Sequence, residues 1–185
     1  MTSNLDEFRH EARASTSWLE SIVCDLTPEQ AAWHPAGRAN TIASTYAHVV
    51  RNFDEDINEH FFERPLFSDG PWRGRTGLPP GPVEWEPGVV IDWLALREYG
   101  RAMCAFVVEW VDRLTNADLE RKVVMGTAAH LASWQGIEVV RLTAGRHVWM
   151  HGGEIACLKG LQGLDGYAAF QTTNLWSQGV HEWER

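Results

Sequence analysis

The chain has 185 residues, enough for a single domain with a substantial core, and the whole of 1–185 reads as one unit. Its 25 acidic and 16 basic side chains give a formal charge of −9, with no basic run. A phosphate backbone or an anionic membrane surface is therefore not an expected partner. No apolar stretch approaches the roughly 18 residues that a spanning helix needs.

Cys24, Cys104 and Cys157 are widely spaced and form no C-x-x-C pair. Scattered among apolar neighbours, they read as reduced and mostly buried, which implies a reducing compartment. The opening MTSNLDEFRHEARAS is polar and charged, unlike a secretory signal, so a cytoplasmic location is expected. Ten tryptophans is a high count for this length, and large aromatic side chains can fill a core, line a pocket or build an interface.

In chain order, the first helix is expected from about Asn4 to Leu26, where Leu5, Phe8, Ala12, Ser15, Leu19, Ile22 and Leu26 recur at spacings of three and four. Thr27 then caps a short turn at Pro28. The second helix should run from about Thr41 to Arg64, with Ile42, Tyr46, Val49, Val50, Phe53, Ile57 and Phe61 as its apolar stripe. Residues 65–90 hold six of the eight prolines and five glycines, a composition that defeats helix and central strand. Trp72 and Trp85 give this long connection apolar surface to bury, and it is expected to cover a metal pocket or a dimer edge, the alternative being a disordered connector.

The third helix spans roughly Ile91 to Leu114. Residues 115–135 are ambiguous: Thr115 can cap a short turn and Lys122–Met125 can be extended. The fourth helix runs from about Gly136 to Leu161 and is apolar on most sides, as a central element should be. Its Gly145, Gly152 and Gly153 cost helix propensity, which predicts close approach of a neighbour. A short helix around Ala168–Trp176 completes the reading. Four long amphipathic helices with one long connection indicate an all-α four-helix bundle.

Of the eight histidines, His10, His60 and His181 read as solvated surface residues. His147 and His151 sit four residues apart on the fourth helix and project about 40° apart around its axis. Such a pair can bind one metal ion, as in H-E-x-x-H helices, or can be two core histidines bonded to backbone. Val148, Trp149 and Met150 intervene without a glutamate, so the metalloprotease motif fails. His48 lies on the second helix among Thr41, Ser44, Thr45, Asn52, Glu55 and Glu59, away from the apolar stripe. That stripe is either a solvated face or the lining of an internal cavity, and periodicity does not choose.

The segment NTIASTYAHVVRNFDEDI resembles the second helix of the DinB-like (YfiT-like) family, in which small residues precede a metal-binding histidine. RHVWMHGGEIACLKGLQGL, residues 146–164, looks like that family's last helix with its paired histidines, and T-P-E-Q-x-x-W from Thr27 looks like its entry to the second helix. The resemblance covers nearly the whole chain in order and is weakest in the Pro-rich connection and beyond Gly166. It implies a divalent-metal site, zinc or nickel, with His48, His147 and His151 as ligands. Three neutral ligands would leave positions for water or substrate; Glu154 and Glu55 can each hold a ligand's second ring nitrogen or, the favoured reading, be plain surface glutamates. Similar proteins include transferases and isomerases that use a low-molecular-weight thiol such as mycothiol or bacillithiol, and others described as metal-dependent hydrolases. A thiol-dependent S-transferase or isomerase is the expected activity. Hydrolysis, or metal binding without turnover, is the alternative. The surplus of tryptophan, with the dimers found among similar proteins, predicts a homodimer. Neither a Ser–His–Asp arrangement nor a phosphate loop competes with these readings.

Overall fold

The computed structural model describes residues 4–81, 85–86, 88–127 and 130–166. Helix α1 spans Asn4–Val23. Its carbonyls are taken over by side chains of other helices: Lys159 Nζ lies 3.0 Å from Ile22 O and Arg97 Nη1 2.6 Å from Val23 O. Trp93 Nε1 donates to Leu26 O at 3.3 Å. These donors satisfy the helix end from outside, which is why α1 stops at Val23 instead of continuing to Leu26.

Thr27 and Gln30 close a reciprocal capping box on α2, Pro28–Ala32. Helix α3, Ile42–Asp54, starts where Thr41 accepts from Ser44 N, and it widens into a π segment over Glu55–Phe61. Pro65 disfavours helical backbone at Arg64, and Glu63 takes a left-handed φ of 53°, so the helix ends at Phe61 and not at Arg64. Asp92 caps α4, Trp93–Arg113, and Thr115 caps α5, Asn116–Glu120. Lys122–Thr127 and His130–Gln135 form an antiparallel hairpin, β1 and β2, with Lys122 opposite Gln135. The expected fourth helix is three pieces in line: α6, Gly136–Arg141, a π segment over Leu142–Arg146, and α7, His147–Leu161. Residues Ala168–Trp176 and His181 lie outside the described residues.

The chain is thus mostly helical. Helix α1 packs on α4 and α7, and α3 packs on the same two, so four long helices close a ring around one core. The apolar stripe of α3 is completely buried, and that of α1 is buried from Phe8 to Ile22. Gly152 lets α7 meet α1, because a Cβ there would fall 2.0 Å from Trp18 Cζ3. Gly153 faces nothing within 4 Å, so close approach explains one of these neighbouring glycines and not the other. Cys104 is buried as expected, but Cys24 and Cys157 are exposed. Cys24 falls just past the end of α1, and Cys157 is on the outward side of α7. No helix among the described residues is long and apolar enough to cross a membrane.

Two buried aspartates follow one another on this frame. Asp54 accepts from Asn58 Nδ2 at 2.8 Å, Phe67 N at 2.9 Å, Ser68 N at 2.8 Å and Tyr99 Oη at 2.7 Å. It therefore ties the start of the long connection to α3 and α4. Further along the connection, Trp72 packs 5.6 Å from the Tyr99 ring, Arg75 pairs with Glu98 at 3.0 Å, and Asp92 N donates to Thr76 O at 2.9 Å. Asp54→Ala would leave buried donors without acceptors, at a cost of about 3 kcal/mol. We expect a lower melting temperature and faster tryptic cleavage at Arg73 and Arg75 in the native protein; an unchanged cleavage rate would show that the connection is held by something else.

Asp56 joins the two π segments, accepting from Thr143 Oγ1 at 2.7 Å with both side chains buried. Burial pushes its carboxyl up to about 7, with a smaller push from Glu55, opposed by the Thr143 hydrogen bond and by His48. The folded carboxyl thus takes its proton near neutrality, whereas the unfolded one does so near the ordinary value of 3.8. The fold gains stability as pH falls through that window and loses it as pH rises. Asp56→Asn keeps an acceptor for Thr143 and never ionises. It should melt above the parent at about pH 8 and lose that advantage by about pH 4. A difference that is flat across this range would mean Asp56 does not titrate within it.

Candidate metal centre

His48 occupies the second turn of α3, and His147 opens α7 with His151 one turn on. Because α3 packs along α7, the three imidazoles meet between the helices. One candidate ligand atom from each lies within 4.8 Å of the others, and all three residues are half-buried. The closest approach is 3.1 Å, between His147 Nε2 and His48 Nε2. Ring centroids are 5.0 Å apart for His48–His147, 4.8 Å for His48–His151 and 4.6 Å for His147–His151.

The polar stripe of α3 is therefore partly an internal lining: Thr45 is buried, and Ser44, His48 and Asn52 are half-buried, whereas Glu59 is exposed. Asn52 Nδ2 donates to His48 O at 2.8 Å and sits 3.2 Å from His48 Nδ1. His151 Nδ1 is 2.5 Å from Glu154 Oε2, although Glu154 itself is exposed. That contact occupies Nδ1 and leaves Nε2 as the nitrogen available to an ion. Glu55 pairs with Arg51 at 3.6 Å. From the long connection, the Trp85 ring packs 4.9 Å from the His48 ring and covers it.

Electrostatics favours a neutral His147 ring. Burial pushes His147 down to about 3, and His151 and His48 push the same way. Its Nδ1 is buried without a hydrogen-bond partner. A cation fits this donor set on two counts. The neutral His147 ring offers a lone pair with no charge to oppose an ion, and a candidate ligand nitrogen of His48 and of His151 lies within 4.8 Å of it. Nitrogens around tetrahedral zinc stand about 3.4 Å apart, given bonds of about 2.0–2.1 Å, and the closest pair already matches that spacing. The three histidines could therefore hold one divalent ion, with the spread of up to 4.8 Å closing by small ring rotations.

His10 lies on the exposed side of α1 and His60 in the π segment after α3, neither within the cluster. Asp56 escaped the sequence reading, yet a signal for it exists: seven residues after Val49, it falls about 20° from it around the helix, an acid placed on an apolar stripe. It lies two turns beyond His48 and is influenced by it.

No curated protein and no solved structure is significantly similar to the chain. Residues 10–155, a span that contains all three histidines, match the family described as the DinB superfamily. The helical ring, the order of its elements and this match together establish that the chain belongs to the DinB superfamily.

Proposed function

We propose that the chain binds one divalent cation, zinc or nickel, through His48, His147 and His151 and is a metal-dependent enzyme acting on a small molecule. The observation that carries this reading is the convergence of three half-buried imidazoles from two packed helices. When bound, such an ion keeps its full charge and an open position, and so can stabilise a thiolate or hydroxide or polarise a carbonyl. The surrounding residues have separable tasks. Glu154 holds the His151 tautomer, the burial of His147 keeps that ring neutral, and Trp85 shields His48 from water.

Within this class we favour S-transfer or isomerisation with a low-molecular-weight thiol, on the strength of the family resemblance. The free state of all three cysteines suits a reducing, cytoplasmic setting for such chemistry. Protein purified without a histidine tag should carry about one divalent ion per chain, and His48→Ala, His147→Ala and His151→Ala should each lose most of it. His10→Ala and His60→Ala should not. Full occupancy in His48→Ala would sink the triad. A screen of electrophiles then separates the activities: turnover that requires added mycothiol or bacillithiol supports transfer, turnover without thiol indicates hydrolysis, and none with either indicates a binding protein.

We also propose that the chain pairs with a second copy. Leu94, Val124, Leu131, Met150 and Leu161 are exposed apolar side chains among the described residues, and burying such surface favours association. Sedimentation at micromolar concentration should give twice the chain mass of 20.9 kDa; a species of single-chain mass alone would refute pairing.

A further inference from the structure

A second feature adjoins the histidine cluster through Trp85. There, α2, the start of α3 and the segment leading into α4 enclose a cleft of about 720 Å³. Clefts of roughly 300–1,000 Å³ are those that hold small ligands. Trp85 and Trp93 form two of its walls, with Val89 and Ile91 beside them. Trp85 also packs on His48, and Ser44, one turn before His48, lines the cleft. An occupant would sit one side chain away from the three imidazoles.

The charge of this lining is one-sided. Glu29 and Glu86 contribute to it, and no lysine or arginine does among the described residues. The sequence between Arg75 and Arg97 contains no basic residue and three acids, Glu84, Glu86 and Asp92. His34, also in the lining, donates from Nδ1 to Pro35 O at 2.9 Å. The Thr41 hydroxyl donates to Ser44 Oγ at 2.9 Å and is thereby occupied. The cleft thus offers carboxylates and indole faces, which suit a cation, while Asn40 and Ser44 are uncharged and no lysine or arginine among the described lining residues offsets an anion. The other large cleft, of about 740 Å³ within the long connection, differs in being lined by Arg51 and Arg73.

We infer that the cleft beside Trp85 binds a small apolar or aromatic amine in its protonated form and excludes carboxylates. This deepens the proposed function, on which it rests only for the statement that the amine is the substrate presented to the histidine cluster. The recognition itself needs no metal. The ammonium group takes the Glu29, Glu86 and His34 side of the cleft, and the apolar part lies between the indoles of Trp85 and Trp93.

Three probes with one skeleton test it: 3-phenylpropylamine, 3-phenylpropanol and 3-phenylpropanoate, titrated by calorimetry into the protein as purified and again after chelator treatment. The amine should bind more tightly than the alcohol and at least about tenfold more tightly than the carboxylate in both states, since like charge opposes binding. Glu86→Lys, at an exposed position, should abolish or reverse the amine preference. Ala32→Trp, at the exposed end of α2, should fill the cleft and weaken amine binding by about tenfold or more while melting as the parent does. A carboxylate that binds as well as the amine to the chelated protein, no binding by any probe, or indifference to both variants overturns the inference. Metal content separates the two proposals. If His48→Ala keeps its metal while the amine preference persists, only the metal reading falls. If metal binds through the triad and no amine preference exists, only the cleft falls.

Discussion

Three imidazoles brought between two helices cannot all be protonated. At ring separations of 4.6–5.0 Å, like charges in a half-buried site repel and resist desolvation together. His147 bears most of this constraint, through burial first and its two neighbours second. The same constraint leaves the His147 ring neutral, with a lone pair to offer, and its buried Nδ1 finds no hydrogen-bond partner among the described residues. A fold built for stability alone would place apolar side chains here, as it does at Val49, Ile155 and Val148 close by. Retaining three histidines instead is the kind of local cost that functional sites carry.

The helices that present the rings are not regular. A π segment follows α3 directly, and another precedes α7 directly. Each turn of a π helix holds extra backbone, which rotates the following residues relative to a 3.6-residue period. The two segments meet at the Asp56–Thr143 hydrogen bond, 2.7 Å long and buried. That bond fixes the angular setting of α7 relative to α3 immediately before His147. Site geometry thus depends on a buried polar contact that lies in neither histidine-bearing helix turn, and such contacts specify arrangement at some cost in stability.

This irregularity marks the limit of what was legible in the sequence. The apolar stripes of the first two long helices follow period 3.6 and are buried apart from half-buried Leu5, whereas the fourth helix is less central than its apolar sequence implied, with Met150 and Leu161 exposed. The caps at Thr27, Thr41 and Thr115 sit where their residue types demand. The pairing of His147 with His151 is a local spacing and was equally visible. The placement of His48 was not, because its polar neighbours fit a wet face and an internal lining equally well. Only the packing of α3 on α7 decides between them. The exposure of Cys24 and Cys157 escaped for the opposite reason: apolar sequence neighbours do not report which way a helix turns a single side chain. Helix ends were misplaced by a few residues wherever a donor from a distant element completes them, as Arg97 and Lys159 do for α1.

The long connection joins these elements into one arrangement. Asp54 lies one turn and a half beyond His48 and receives Phe67 N and Ser68 N from the start of the connection. Thr76 O then receives Asp92 N, so the two ends of the intervening stretch are pinned to α3 and to the cap of α4. Between those pins, Trp85 comes down on His48. Six prolines limit the freedom the unfolded stretch has to lose, so ordering it costs less than its length alone would require. The chain thereby obtains a cover over the imidazoles without committing another helix. Because the same ring packs on His48 and lines an acidic cleft, any displacement of Trp85 alters both at once.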